Sequence, residues 1–206
     1  SIGSNIITFS ATANPSTSLR EATVTISATG IASQTIAVTQ YGKVQVTAGN
    51  LKTKLNGQLS SITSLTLAGT IDARDFKIMR DEMPALTDID LSEVTIAAYS
   101  GTEGTDETSY KDYPAIGVPN YAFSDHIFTY PPKGNGNSLL RSVTLPSSVT
   151  SIGEAAFKYC EGLTTINIPP LVSSIGDYAF INCTSITSIN IPSLVNLSFK
   201  KSASFL

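Results

Sequence analysis

Only one histidine, His126, and two cysteines, Cys160 and Cys183, occur among the 206 residues. A single histidine leaves no pair of bases for a relay, and its neighbours Ser124 and Asp125 are adjacent in sequence rather than arranged as a triad. His126 reads as a loop histidine. Two cysteines in a chain this long cannot make a disulfide framework and leave the redox compartment open. Charge is also scarce: 14% of residues carry it, the net charge is -3 and the pI about 5.1. That balance gives no electrostatic case for nucleic acid or for an anionic membrane. No apolar run approaches the roughly 18 residues that span a bilayer. No signal peptide opens the chain, so a secretion signal or lipid anchor is expected upstream of Ser1. Nothing is spaced like a zinc site, a P-loop or a Gly-rich nucleotide loop. Neither catalysis nor a cofactor is expected.

Small hydroxyls are plentiful instead. Ser and Thr number 27 and 25, which favours β-structure and a polar, weakly charged surface. The length suits one large domain or two small ones, with room for a core.

Self-comparison from Leu140 to Pro192 reveals a step of 23 residues. Leu140, Leu163 and Ile186 share a column. So do Val143, Ile166 and Ile189, then Leu145, Ile168 and Ile191, then Pro146, Pro169 and Pro192. Val149, Val172 and Val195 follow. Ile152 with Ile175, Gly153 with Gly176, Ala156 with Ala179, Phe157 with Phe180 and Cys160 with Cys183 complete the set. The physics of the columns is legible. Val143 and Leu145 alternate with Ser142 and Thr144, the period-two pattern of a half-buried strand. Pro146 has no N–H for a ladder and ends that strand. Gly153 is expected to make a tight turn at positive φ. Glu154 to Cys160 reads as an irregular or helical turn that plugs Ala156 and Phe157 into the interior. One unit cannot bury its apolar face alone; stacked units can, which predicts a solenoid.

The stretch LTTINIPPLVSSIGDYAFINCTS, Leu163 to Ser185, resembles the leucine-rich repeats of the BspA-like bacterial surface-protein family, and the likeness covers about residues 139 to 198. The resemblance implies an α/β leucine-rich-repeat solenoid with short parallel strands and an irregular, short-helical convex side. It also implies an extracellular or cell-surface setting and a protein partner, a host protein included.

A weaker form continues upstream. Leu65/Leu67 and Ile89/Leu91 predict strands 24 residues apart. Between them Asp72 to Met83 predicts a helix, with Phe76, Met79, Arg80 and Met83 at helical spacing, Thr70 or Asp72 as cap and Pro84 as stop. A further short helix over Thr47 to Leu55, within a helical cap at about 47–58, is expected to close the stack. Ile116 to Phe123, IGVPNYAF, reads as a stretched copy of the IG…AF half. It belongs to an enlarged repeat at about 92–139, with insertions at about 97–114 and 124–138. Residues 1–42 lack the columns and show three alternating β-runs: Ile6 to Thr12, Ala22 to Ser27 and Gln34 to Thr39. Asn14 to Gly42 resembles the last half of BACON domains, Ig-like sandwiches of extracellular Bacteroidetes proteins. That resemblance implies an incomplete all-β sandwich before the repeat domain of 43–206, and carbohydrate binding or a spacer role. Past Val195 the repeat pattern breaks at Ser198-Phe199.

Two surfaces are candidates for contact. Outward residues of successive strands would form rows: Ser64 and Thr66, Asp88 and Asp90, Ser142 and Thr144, Thr165 and Asn167, Ser188 and Asn190. The enlarged repeat offers Tyr99, Tyr110, Tyr113, Tyr121, Tyr130 and Phe128 with Glu103, Asp106 and Glu107. Long loops on rigid scaffolds tend to carry function, and tyrosine gives contact area at low entropic cost. The loop is preferred; within it Tyr121 and Phe123 are expected in the core. The candidate ligand set is Tyr99, Tyr110, Tyr113, Tyr130, Asp88, Asp90, Thr144, Thr165, Asn167 and Asn190. A cation between Asp88 and Asp90, with Asp72 and Asp75 nearby in sequence, would need six or more oxygens for calcium, and no such set assembles. Cys160 and Cys183 share a column, so a bridge is conceivable, with free buried packing the preferred reading.

Overall fold

A computed structural model describes residues 20–28, 30–40, 42–106, 111–124 and 137–195. The chain divides into two compact units, Ser1–Lys43 and Val44–Leu206.

In the first unit, β1 (Arg20–Ala28) and β2 (Ile31–Gln40) pair antiparallel, from Arg20 opposite Gln40 to Ala28 opposite Ile31. The turn carries Gly30 at φ 81°, a sign of backbone that suits the twist of a short hairpin. Thr23, Thr25 and Ile26 on β1 and Ala32 to Thr35 on β2 are exposed. Two of the three expected runs are therefore strands; the run at 6–12 lies outside the described residues.

The second unit is built of β3 (Lys43–Val46), α1 (Leu51–Lys54), a 3-10 turn (Leu59–Ser61), β4 (Ser64–Ile71), α2 (Ala73–Asp81) and β5 (Asp88–Ile96). There follow β6 (Tyr99–Gly101), β7 (Lys111–Tyr113), β8 (Gly117–Val118), β9 (Ser142–Thr144), β10 (Ser151–Ile152), β11 (Thr165–Asn167) and β12 (Ser174–Ile175). One five-stranded sheet has the order β11-β9-β5-β4-β3, and a three-stranded sheet the order β12-β10-β8. Strands β4, β5, β9 and β11 run parallel, with Leu65 beside Ile89, Ile89 beside Val143 and Val143 beside Ile166. The apolar columns are thus rungs of real ladders.

A spine of rings runs through the core. Phe76 meets Phe123 edge-on at 5.9 Å, Phe123 stacks on Phe157 at 5.3 Å, and Phe157 on Phe180 at 5.4 Å. All four are buried. In the first repeat Phe76 comes from α2. That helix starts at Asp72, whose carboxylate accepts the Arg74 N–H at 2.9 Å, while Asp75 accepts the Asp72 N–H at 3.0 Å in a reciprocal capping box. It ends two residues before the expected Met83, because Met83 already belongs to a turn in which its carbonyl accepts the Leu86 N–H. The helix expected over 47–55 is a single turn, Leu51–Lys54, cut short by Asn56 and Gly57 at φ 46° and 78°.

The turn after each short strand is irregular, and its handedness alternates. Positive φ recurs two residues before the phenylalanine, at Tyr121, Ala155 and Tyr178, and two after it, at Tyr159 and Asn182. Alternate N–H groups consequently face the following repeat: Ala155 N–H donates to Asp177, Phe157 to Ala179 and Tyr159 to Ile181, each at 2.9 Å. The backbone of an otherwise irregular turn is satisfied across the stack.

Three expectations need correction. Gly153 does not take positive φ; its role is close approach, since a Cβ there would stand 2.4 Å from the Asn120 nitrogen, and at Gly176 2.4 Å from that of Glu154. In the enlarged repeat Val118 pairs with Ile152 and Gly117 with Ser151. Val118-Pro119, not Ile116-Gly117, therefore fills the IG column, and this half is unstretched. Finally, Ser188 to Asn190 form no strand, and Ile189 is half-buried where Val143 is buried.

The cysteines are free and buried. Cys160 Sγ donates to the Phe123 carbonyl at 3.7 Å and Cys183 Sγ to that of Phe157 at 3.0 Å, one repeat back in each case. Burial pushes both thiols up, Cys183 to about 12. Asn137 takes the same column in the enlarged repeat and donates Nδ2 to Leu86 O at 3.3 Å.

Candidate functional site

The enlarged repeat folds part of its insertion into a clamped hairpin. β6 and β7 pair antiparallel, Tyr99 opposite Tyr113 and Ser100 opposite Asp112. The two tyrosine rings stack at 6.0 Å, and the Arg74 guanidinium lies 4.7 Å from the centre of the Tyr99 ring. Tyr113 accepts the Asp106 N–H at 2.8 Å, and Tyr99 the Glu103 N–H at 3.2 Å. Gly104 sits where a Cβ would meet the Tyr113 ring at 2.4 Å. Beneath the hairpin, Arg80 Nη1 donates to the carbonyls of Thr105 at 2.8 Å, Tyr121 at 3.0 Å and Ser124 at 3.4 Å. Its Nε donates to Asp81 at 2.6 Å, and its side chain is only 5% exposed. One guanidinium thereby ties two insertion segments to α2.

Against this hairpin the three-stranded sheet leaves a groove of about 450 Å³. One side is Asp106 and Lys111 to Pro114; the other is three equivalent rows taken from successive repeats, with the strand residues Val118, Ile152 and Ile175 as a further row between the first and second. Gly117, Ser151 and Ser174 form the first row, Pro119, Gly153 and Gly176 the second, and Asn120, Glu154 and Asp177 the third. Small residues make the floor flat. Carboxylates line the rim: Asp106 pairs with Lys111 at 3.3 Å, Glu154 accepts the Tyr121 hydroxyl at 3.1 Å, Asp112 accepts the Ser100 hydroxyl at 2.6 Å, and Asp177 is exposed. Burial, then the negative charge of Glu154, pushes the Tyr121 phenol up to about 12.

The expected contact residues distribute unevenly. Tyr113 is buried and Tyr99 half-buried under Arg74; both brace the hairpin, and Tyr113 in particular offers no free surface. Tyr121 and Phe123 are in the core. Tyr110, Tyr130, Phe128, Glu107 and His126 lie outside the described residues. On the five-stranded sheet the outward rows do form. Ser64, Asp88, Ser142 and Thr165 make one, and Thr66, Asp90, Thr144 and Asn167 the other. Asn190 joins no ladder. Asp88 and Asp90 accept from Thr87 Oγ1 and from the Ser92 N–H. Among the described residues no cluster of three His, Cys, Asp or Glu is placed to hold a metal ion, and no helix is long and apolar enough to cross a membrane. Sequence reasoning missed the groove, although Glu154 and Asp177 share a column directly after the paired glycines.

Residues 135–205 match a family model described as BspA type leucine rich repeat region, with 6 copies. The matched stretch contains β9 to β12, of which β10 and β12 form one side of the groove together with β8. A leucine rich cell surface protein from Faecalibacterium prausnitzii A2-165, solved by crystallography, is 24% identical with a TM-score of 0.36. The alignment covers 73% of this chain and 38% of that chain. No curated protein matches the sequence.

Proposed function

We propose that the chain is an extracellular or cell-surface binding or adhesion module that recognises a protein partner by surface complementarity, without catalysis. The match of residues 135–205 to BspA type leucine rich repeats supports this reading. The observation that carries it is the walled groove: an insertion, clamped by Arg80 and two stacked tyrosines, stands against a flat repeat face and makes it concave. Concavity on a rigid scaffold is what binding sites need. In this reading residues 43–206 form a solenoid, and residues 1–42, with their BACON-like sequence, form a partial sandwich that serves as a spacer. The outward rows bearing Asp88, Asp90, Thr144, Thr165 and Asn167 are a secondary contact face.

The test is a panel of extracellular-matrix proteins and a glycan array, each probed with the intact chain and with a variant whose residues 102–110 are replaced by a Gly-Ser linker. The expected result is capture of at least one matrix protein, weakened tenfold or more in the variant. Silence on the protein panel, with glycans bound instead, would overturn the reading.

A further inference from the structure

We infer that the groove between the β6–β7 hairpin and the three-stranded sheet takes an extended peptide segment bearing Lys or Arg side chains. The inference rests on the binding reading above and names the chemistry of its site. Carboxylates on an open face are ordinary solvated surface. Here three of them, Asp112, Glu154 and Asp177, rim a groove of about 450 Å³, with a fourth, Asp106, buried beneath and engaged by Lys111, while Lys158 stands close enough to Glu154 to feel its charge. Each carboxylate offers about four acceptor sites, so Asp112 and Glu154 retain capacity beyond their single hydroxyl partners Ser100 and Tyr121.

The floor excludes other classes. Gly117, Gly153 and Gly176 with Ser151 and Ser174 leave a shallow, flat track that suits a main chain lying extended. Among the described residues the one aromatic that lines the groove, Tyr113, is buried and offers no ring face to stack a sugar. The charge pattern opposes an acidic or phosphorylated ligand. Paired charges at such a rim set partner choice and association rate more than raw affinity, and salt screens them.

Fluorescence anisotropy with a labelled decapeptide of alternating Lys and Ser tests this. The comparison set is the Glu-for-Lys peptide, free spermine, and two charge-matched variants: D112N/D177N at the groove and E93Q/E161Q away from it. We expect saturable binding of the Lys peptide that falls with salt, weakens at least tenfold in D112N/D177N, changes less than twofold in E93Q/E161Q, and is absent for the Glu peptide. Equal loss in both variants would show general attraction to an acidic protein and overturn the groove. Unchanged binding in D112N/D177N, no saturable binding, or spermine binding as tightly as the peptide would overturn it too. Capture of a matrix protein by the chain in that event would leave the broader function standing and remove only this ligand class.

Discussion

Two regions of the second unit reach the same stacked geometry by different means. Residues 137–195 bury apolar side chains and two cysteines, whereas every buried polar side chain among the described residues, Asp72, Asp75, Thr105, Asp106 and Ser124, lies between 72 and 124. In the regular repeats each residue meets its own counterpart 23 positions on, so like packs on like and the backbone is satisfied by the next turn. Where length varies, periodicity no longer supplies partners. The helix-bearing repeat and the insertion need specific polar clasps instead: Asp75 accepts the N–H of Gly49 at 2.7 Å and of Leu51 at 3.0 Å, and Arg80 gathers three carbonyls. Irregularity therefore costs buried charge, and the groove lies where the two regimes meet.

Breaking each regime separately sharpens the contrast. Phe157→Ala should have the largest effect, about 3–5 kcal/mol of stability lost, because the ring is fully buried between Phe123 and Phe180; urea denaturation measures it. Arg80→Ala should cost about 3 kcal/mol, since three carbonyls lose a charged donor. Its signature is locality: hydrogen exchange should quicken over 99–124 and hold steady over 140–183. Equal quickening in both would erase the distinction. Gly153→Ala should cost about 2 kcal/mol, because the Cβ would meet backbone at Asn120, which has no rotamer to yield.

The smallest effect concerns Asp81. Burial pushes its carboxyl up, but hydrogen bonds and charge from Arg80 and Lys77 outweigh that and hold it below the usual value of 3.8. A depressed carboxylate contributes stability above its unfolded pKa, lost as pH falls through the folded one. Asp81→Asn should therefore destabilise by about 0.5 kcal/mol at neutral pH, with the difference vanishing once pH falls well below 3.8. A gap that persists in acid would show packing, not charge, at this position.

The repeat step, the strand rows and the phenylalanine spine were legible because each is written in a column that sterics enforce. The enlarged repeat was misregistered because the word Ile116-Gly117 imitates the Ile-Gly of its neighbours. Counting five residues back from Phe123, the spacing of Ile152 from Phe157, would have found Val118. The positive-φ positions escaped since no glycine marks them: Tyr121, Ala155 and Tyr159 take left-handed backbone where their N–H groups donate to the next repeat, and Tyr178 and Asn182 repeat the same backbone one unit on. The clasps are equally silent in sequence. Arg80 looked like one more residue on a helix face, and nothing local tells that its partners lie 25 to 44 residues away. Tyrosines in a long insertion suggested a contact surface; Tyr99 and Tyr113 are spent on holding the insertion in shape.

Continuous stacking of equivalent rings is the claim on which scaffold, groove and function all depend. A double-mutant cycle on Phe157→Leu and Phe180→Leu tests it directly, since the rings lie 5.4 Å apart and parallel within 1°. Stacked neighbours predict a coupling of about 1 kcal/mol; strictly additive losses would contradict it.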